Sequence, residues 1–114
     1  MPQYLIAFNQ QWVGEHDADW FQARGVLARA VVEQMRTQGV LVFAGGLDED
    51  IDRATGIDVV GGEARVVDGP LRPHREYLGG LTIVDVSDDE AARMWGSRIA
   101  EACGWPQEVR RFKG

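Results

Sequence analysis

Two stretches of this chain, Tyr4-Leu5-Ile6-Ala7-Phe8 and Val40-Leu41-Val42-Phe43-Ala44, are apolar at every position, and Ile83-Val84 repeats the pattern inside a third. Side chains alternate across a strand, so each of these segments offers apolar groups to both faces of a sheet: Tyr4, Ile6 and Phe8 to one, Leu5 and Ala7 to the other. Only two segments carry helical spacing, and two helices cover one face. An antiparallel sheet with a wet second face alternates apolar with polar residues instead. The second face therefore needs a cover, because an exposed apolar patch of that size exceeds the few hundred Å² that soluble monomers tolerate. The simplest cover is a second copy of the chain, giving a symmetric dimer with two sheets face to face.

The remaining segments set the order of elements. After a polar loop through Glu15, His16 and Asp17, Asp19 with Gln22 three residues later resembles a capping box, opening a helix to about Gln38 that Gly39 ends. Its apolar stripe is Leu27, Ala28, Val31 and Met35 with Trp20 behind them, and Arg24 shares the stripe. Gly45-Gly46 leads into the acidic loop Asp48-Glu49-Asp50-Ile51-Asp52. Ile57 to Val60 and Ala64 to Val67 flank Gly61-Gly62, a signature of a tight hairpin turn with positive φ. Leu78 to Val86 is the next strand. Ser87 with Glu90 reads as a second capping box, opening a helix with Ala91, Trp95, Ile99 and Ala102 on its buried stripe, stopped by Gly104 and Pro106. Glu108 to Phe112 forms a short edge strand carrying Arg110, Arg111 and Lys113. This predicts an α+β chain, ferredoxin-like in the order β-α-β-β-β-α-β, with a hairpin inserted between its halves.

At 114 residues and 12.7 kDa the chain makes one domain, residues 1–114, large enough for a core without metal or disulfide. Its lone cysteine, Cys103, has no internal partner. At the N-terminus Gln3, Asn9, Gln10 and Gln11 interrupt any leader-like run, so a cytoplasmic protein is expected. A net charge of −6 opposes binding to nucleic acid or an anionic membrane and favours a small molecule or another protein as partner. Glycine-rich nucleotide loops, a Gly-x-Ser-x-Gly elbow and paired His/Cys spacing are all missing from the sequence, so no cofactor and no metal are expected. The acidic loop lacks the spacing of a calcium site and reads as solvated surface.

The residues with the most functional content lie at Asp68. Ala64 to Val67 is a strand, Gly69-Pro70 breaks it, and Asp68 stands where strand gives way to loop. Val67-Asp68-Gly69-Pro70-Leu71, followed by Glu76-Tyr77-Leu78-Gly79-Gly80-Leu81, resembles the DGPF motif of the YCII-related family, and the likeness extends to Ala44-Gly45-Gly46-Leu47 and Val109-Arg110. The resemblance implies a dimeric α+β barrel, the arrangement that the two-faced strands require on their own. It also implies relatives similar in fold to muconolactone isomerase, one of which handles a chlorinated hydroxyquinone. Two departures stand out: Leu71 replaces the usual Phe, followed by Arg72-Pro73-His74-Arg75-Glu76, and Ala28 occupies the position of a first-helix histidine that is paired with an aspartate in relatives proposed to be enzymes.

The candidate site residues are then Asp68 and His74 for catalysis, and Arg24, Trp20, Glu76 and Tyr77 for ligand binding. Asp68 reads either as a turn aspartate bonding nearby backbone N–H groups or as an acid or base at a pocket edge. His74 reads as a solvated loop residue or as the partner of Asp68. Arg24 snorkels along its stripe or clamps an anion, and Trp20 and Tyr77 are amphipathic walls. Two functions stay open: a dimeric module binding a small organic, aromatic or anionic ligand, and a cofactor-independent isomerase, lyase or dehalogenating hydrolase using Asp68.

Overall fold

Six strands and two helices appear in a computed structural model that describes residues 1–71 and 75–114. They run β1 (Gln3–Asn9), α1 (Ala18–Thr37), β2 (Leu41–Gly46), β3 (Thr55–Val60), β4 (Glu63–Asp68), β5 (Leu78–Asp85), α2 (Asp89–Cys103) and β6 (Glu108–Arg111). All six strand segments read in the sequence form, so the order β-α-β-β-β-α-β, which writes only three strands between the helices, is one short of them. Gly61 and Gly62, at φ 59° and 82°, close the expected hairpin, which forms its own sheet.

The main sheet has the order β2-β5-β1-β6 with every pair antiparallel. Removing the hairpin leaves a β-α-β, β-α-β chain with its two halves interleaved, so the α+β, ferredoxin-like expectation holds. The register explains the layers. Tyr4 faces Val84, Ile6 faces Thr82 and Leu41 faces Val84, and this side meets Met35 of α1 with Ala92, Trp95 and Ile99 of α2 in one buried cluster. Leu5 opposite Ile83, Ala7 opposite Leu81 and Phe43 opposite Ile83 point the other way. No helix among the described residues packs over that face, and Phe43 is 56% exposed. The molecule is 19 Å through its thinnest direction, which suits one helix layer on one sheet layer, each about 10 Å deep.

Local chemistry shifts both helix starts. Asp17, not Asp19, caps α1 by accepting from the Trp20 backbone N–H at 2.8 Å, and Asp88, not Ser87, caps α2 by accepting from Ala91 N–H at 2.8 Å. In each case the carboxylate three residues before an open N–H takes it. Along α1 the stripe is Ala28, Val31, Val32 and Met35, while Leu27 is 49% exposed, because the helix turns its 28/32/35 side to the sheet. Gly39 and Gly104 take positive φ and end the two helices as expected. β6 pairs only with β1, at the edge.

Candidate functional site

A cavity of about 470 Å³ opens between α1 and the sheet, within the range of small-molecule sites. Its floor is Phe8 of β1, Ala44 to Gly46 of β2 and Thr82 of β5; Ala28 and Val32 of α1 and Ile99 and Cys103 of α2 form its walls. The space has a cause in the sequence. Ala28, Ala44, Gly45 and Gly46 place the smallest side chains where α1 crosses the strands, so the two layers meet without filling the gap. The Phe8 ring lies over Gly79-Gly80, where an added Cβ would stand 2.7 and 2.9 Å from it. That close approach is what the two glycines permit.

Polar groups are few and sit at defined depths. The Thr82 residue is buried on the floor. Burial pushes the Cys103 thiol pKa up from its ordinary 9.0, so the cavity wall holds a neutral thiol. At the mouth α1 presents Arg29, Glu33 and Arg36, one helical face at i, i+4 and i+7. Glu33 is paired with Arg36. Arg29 lies back along the helix, its guanidinium 3.1 Å from where a Gly25 Cβ would stand.

Arg24 is placed elsewhere. Its guanidinium stacks 5.4 Å from the Trp20 ring centre and donates to the Glu101 carbonyl at 3.1 Å, tying α1 to the end of α2. Trp20 in turn stacks on His16 at 3.5 Å, nearly parallel, and lies 6.2 Å from Trp105. Arg24 and Trp20 thus fasten two helices and do not line the cavity. Glu76 accepts from Trp12 Nε1 at 3.1 Å and Asn9 Nδ2 at 3.4 Å, holding the end of β1. Tyr77 donates its hydroxyl to the Glu49 carbonyl at 2.9 Å and its backbone N–H to Gln11 Oε1 at 3.1 Å, holding the acidic loop. Asp68 ends β4 opposite Thr55, is exposed, and is not among the cavity residues. His74 lies outside the described residues. The sequence candidates therefore do not converge among the described residues; Ala28 does line the cavity, on the inner side of α1. Arg29, Arg36 and Thr82 went unnoticed in the sequence, and Phe8 was read only as a strand residue, although the 29/33/36 spacing beside Ala28 and Val32 was legible there.

A four-stranded antiparallel sheet with both helices on one face and a hollow beneath the first helix defines an α+β, ferredoxin-like domain. The chain belongs to the YCII-related family, whose domain matches residues 22–108. The match runs from the first turns of α1 to the start of β6. No curated protein matches the chain.

Proposed function

We propose that this protein is a homodimeric, non-catalytic module that binds a small organic anion, aromatic or aliphatic, in the cavity under α1. The observation that carries the reading is the character of that cavity: apolar walls at Phe8, Ala28, Val32 and Ile99, and a mouth with two arginines, Arg29 and Arg36, against one carboxylate, Glu33, which Arg36 already pairs. Such a site takes an apolar body inside and an anionic end at the rim. Ala28 leaves room where an imidazole would stand, and Asp68, the one described residue proposed as an acid or base, is exposed on another element. The dimer is supported by the uncovered Leu5, Ala7, Phe43, Leu81 and Ile83 side of the sheet, and two such sheets stacked face to face make the α+β barrel. Membership of the DGPF subgroup is part of the same reading: Asp68-Gly69-Pro70 carries the motif, with Gly69 at φ 91°. So is a cytoplasmic setting, in keeping with a buried, unpaired Cys103.

The test is fluorescence titration with 1-anilinonaphthalene-8-sulfonate, an aromatic anion, competed by benzoate and by octanoate. Saturable binding that Arg29→Gln weakens about five- to tenfold, the worth of one charged contact, is the expected result. Binding that ignores both Arg29→Gln and Arg36→Gln, or that neutral benzyl alcohol displaces as well as benzoate does, overturns the anion assignment.

A further inference from the structure

We propose that Thr82 makes the cavity floor selective, so that the bound molecule is an organic anion with a hydroxyl or carbonyl oxygen at the end remote from its charge. The inference rests on the anion site proposed above and names what lies at its inner end. Among the described residues Thr82 is the only polar one in the buried class, at 7% exposure. Register puts it there: it stands opposite Ile6 of β1 and Ala44 of β2, and period-two alternation turns it with Val84 to the helix side. Val84 is sealed in the core cluster, whereas Thr82 faces the hollow that Ala28 and Ala44 leave open. The strand itself has no use for a hydroxyl at this place, since Val84 fills the next inward position with a β-branched side chain of the same shape.

A buried hydroxyl needs a partner, and the described chain supplies none: no side-chain hydrogen bond among the described residues engages Thr82. Nor is its oxygen sealed away as the orphaned Asp85 Oδ1 and Trp105 Nε1 are, so its open side is the cavity. The other polar groups of the lining are differently placed. Gln107 is half-buried and reaches bulk water, and the neutral Cys103 thiol bonds weakly. A ligand with a wholly apolar inner end would shut the Thr82 hydroxyl off from water and leave it unpaired, whereas an oxygen at that end restores the bond. Sites built to bond a hydroxyl reject the analogue lacking it more steeply than apolar pockets sort ligands by size. The two ends of the ligand are thus read by different layers, the charge by α1 and the oxygen by β5.

Displacement of 1-anilinonaphthalene-8-sulfonate by isosteric pairs tests this: heptanoate with 6-hydroxyhexanoate, octanoate with 7-hydroxyheptanoate, and nonanoate with 8-hydroxyoctanoate. The three lengths let the chain itself measure the depth from rim to floor. Each pair is titrated into wild type, Thr82→Val and Thr82→Ser, with circular dichroism establishing that the variants are folded. Wild type and Thr82→Ser are expected to bind one hydroxy acid about fivefold tighter than its isostere, and Thr82→Val to lose or reverse that preference, changing the ratio of dissociation constants about tenfold. A ratio equal in wild type and Thr82→Val at every length overturns the assignment, as does a wild type that prefers the alkanoate throughout. A preference lost in Thr82→Ser as fully as in Thr82→Val also overturns it, since serine keeps the hydroxyl and drops only the methyl. In these three outcomes the anion site stands wherever the alkanoates still compete and Arg29→Gln weakens them. Displacement by none of the six acids in wild type overturns the anion site itself.

Discussion

Ala28 governs the character of the cavity more than any other single residue, since the helix could have placed a large or titratable side chain there. Ala28→His puts an imidazole between Arg29 and the apolar floor, with Glu33 already engaged by Arg36 and Asp68 on another element. Desolvation and the arginines both disfavour the imidazolium, so its NMR titration is expected below the unperturbed value of about 6.5; a midpoint above that value would mean a carboxylate reaches the cavity after all. Asp68→Asn, at an exposed strand end, is expected to change unfolding free energy by no more than about 0.5 kcal/mol in denaturant titrations. At Gly80 the expectation reverses. Gly80→Ala drives a methyl into the Phe8 ring and should cost about 1–3 kcal/mol, read as a lower urea midpoint with an unchanged slope.

At the scale of elements, the sequence was most informative where one physical rule acts alone. Gly61-Gly62 marked the hairpin, Gly39 and Gly104 marked helix ends, and Asp68 marked the end of a strand, because left-handed turns and chain breaks depend on a few neighbouring residues. Helix starts were displaced because more than one capping side chain competes at each: Asp17 and Asp19 at one helix, Ser87 and Asp88 at the other, with the choice set by which side chain faces the open N–H. Asp88→Ala is expected to cost about 1 kcal/mol. Site residues were least legible. Arg24, Trp20, Glu76 and Tyr77 looked like ligand groups by type, but their partners, Glu101, Trp105, Trp12 and Glu49, lie far away in sequence and only the folded chain brings them together.

The molecule as a whole carries two protonated groups whose loss should weaken it in alkali. Asp89 accepts a hydrogen bond from the Tyr4 hydroxyl and, with burial, raises the Tyr4 pKa above 10.0; burial raises that of Cys103 above 9.0. Unfolded chains release these protons first, so the stability due to Cys103 is full below pH 9.0 and that due to Tyr4 below pH 10.0, and each is lost as pH rises toward the folded value. Melting temperature should therefore fall as pH climbs above 9.0, and Tyr4→Phe with Cys103→Ala should flatten that decline. Light scattering at micromolar concentration should give twice the 12.7 kDa chain mass, and a monodisperse monomer would refute the barrel.

A hollow of about 470 Å³ under α1 also makes the protein's persistence depend on what fills it. Unfilled space beside a core forfeits contacts that a bound molecule restores, and a ligand held by the folded chain alone raises its stability with the logarithm of concentration, by about 2.7 kcal/mol at a hundredfold excess over the dissociation constant. On the proposed reading of a cytoplasmic anion binder, proteases sample the unfolded fraction. The amount of this protein should then track the supply of that anion with no change in transcription, and pulse-chase half-life would report occupancy.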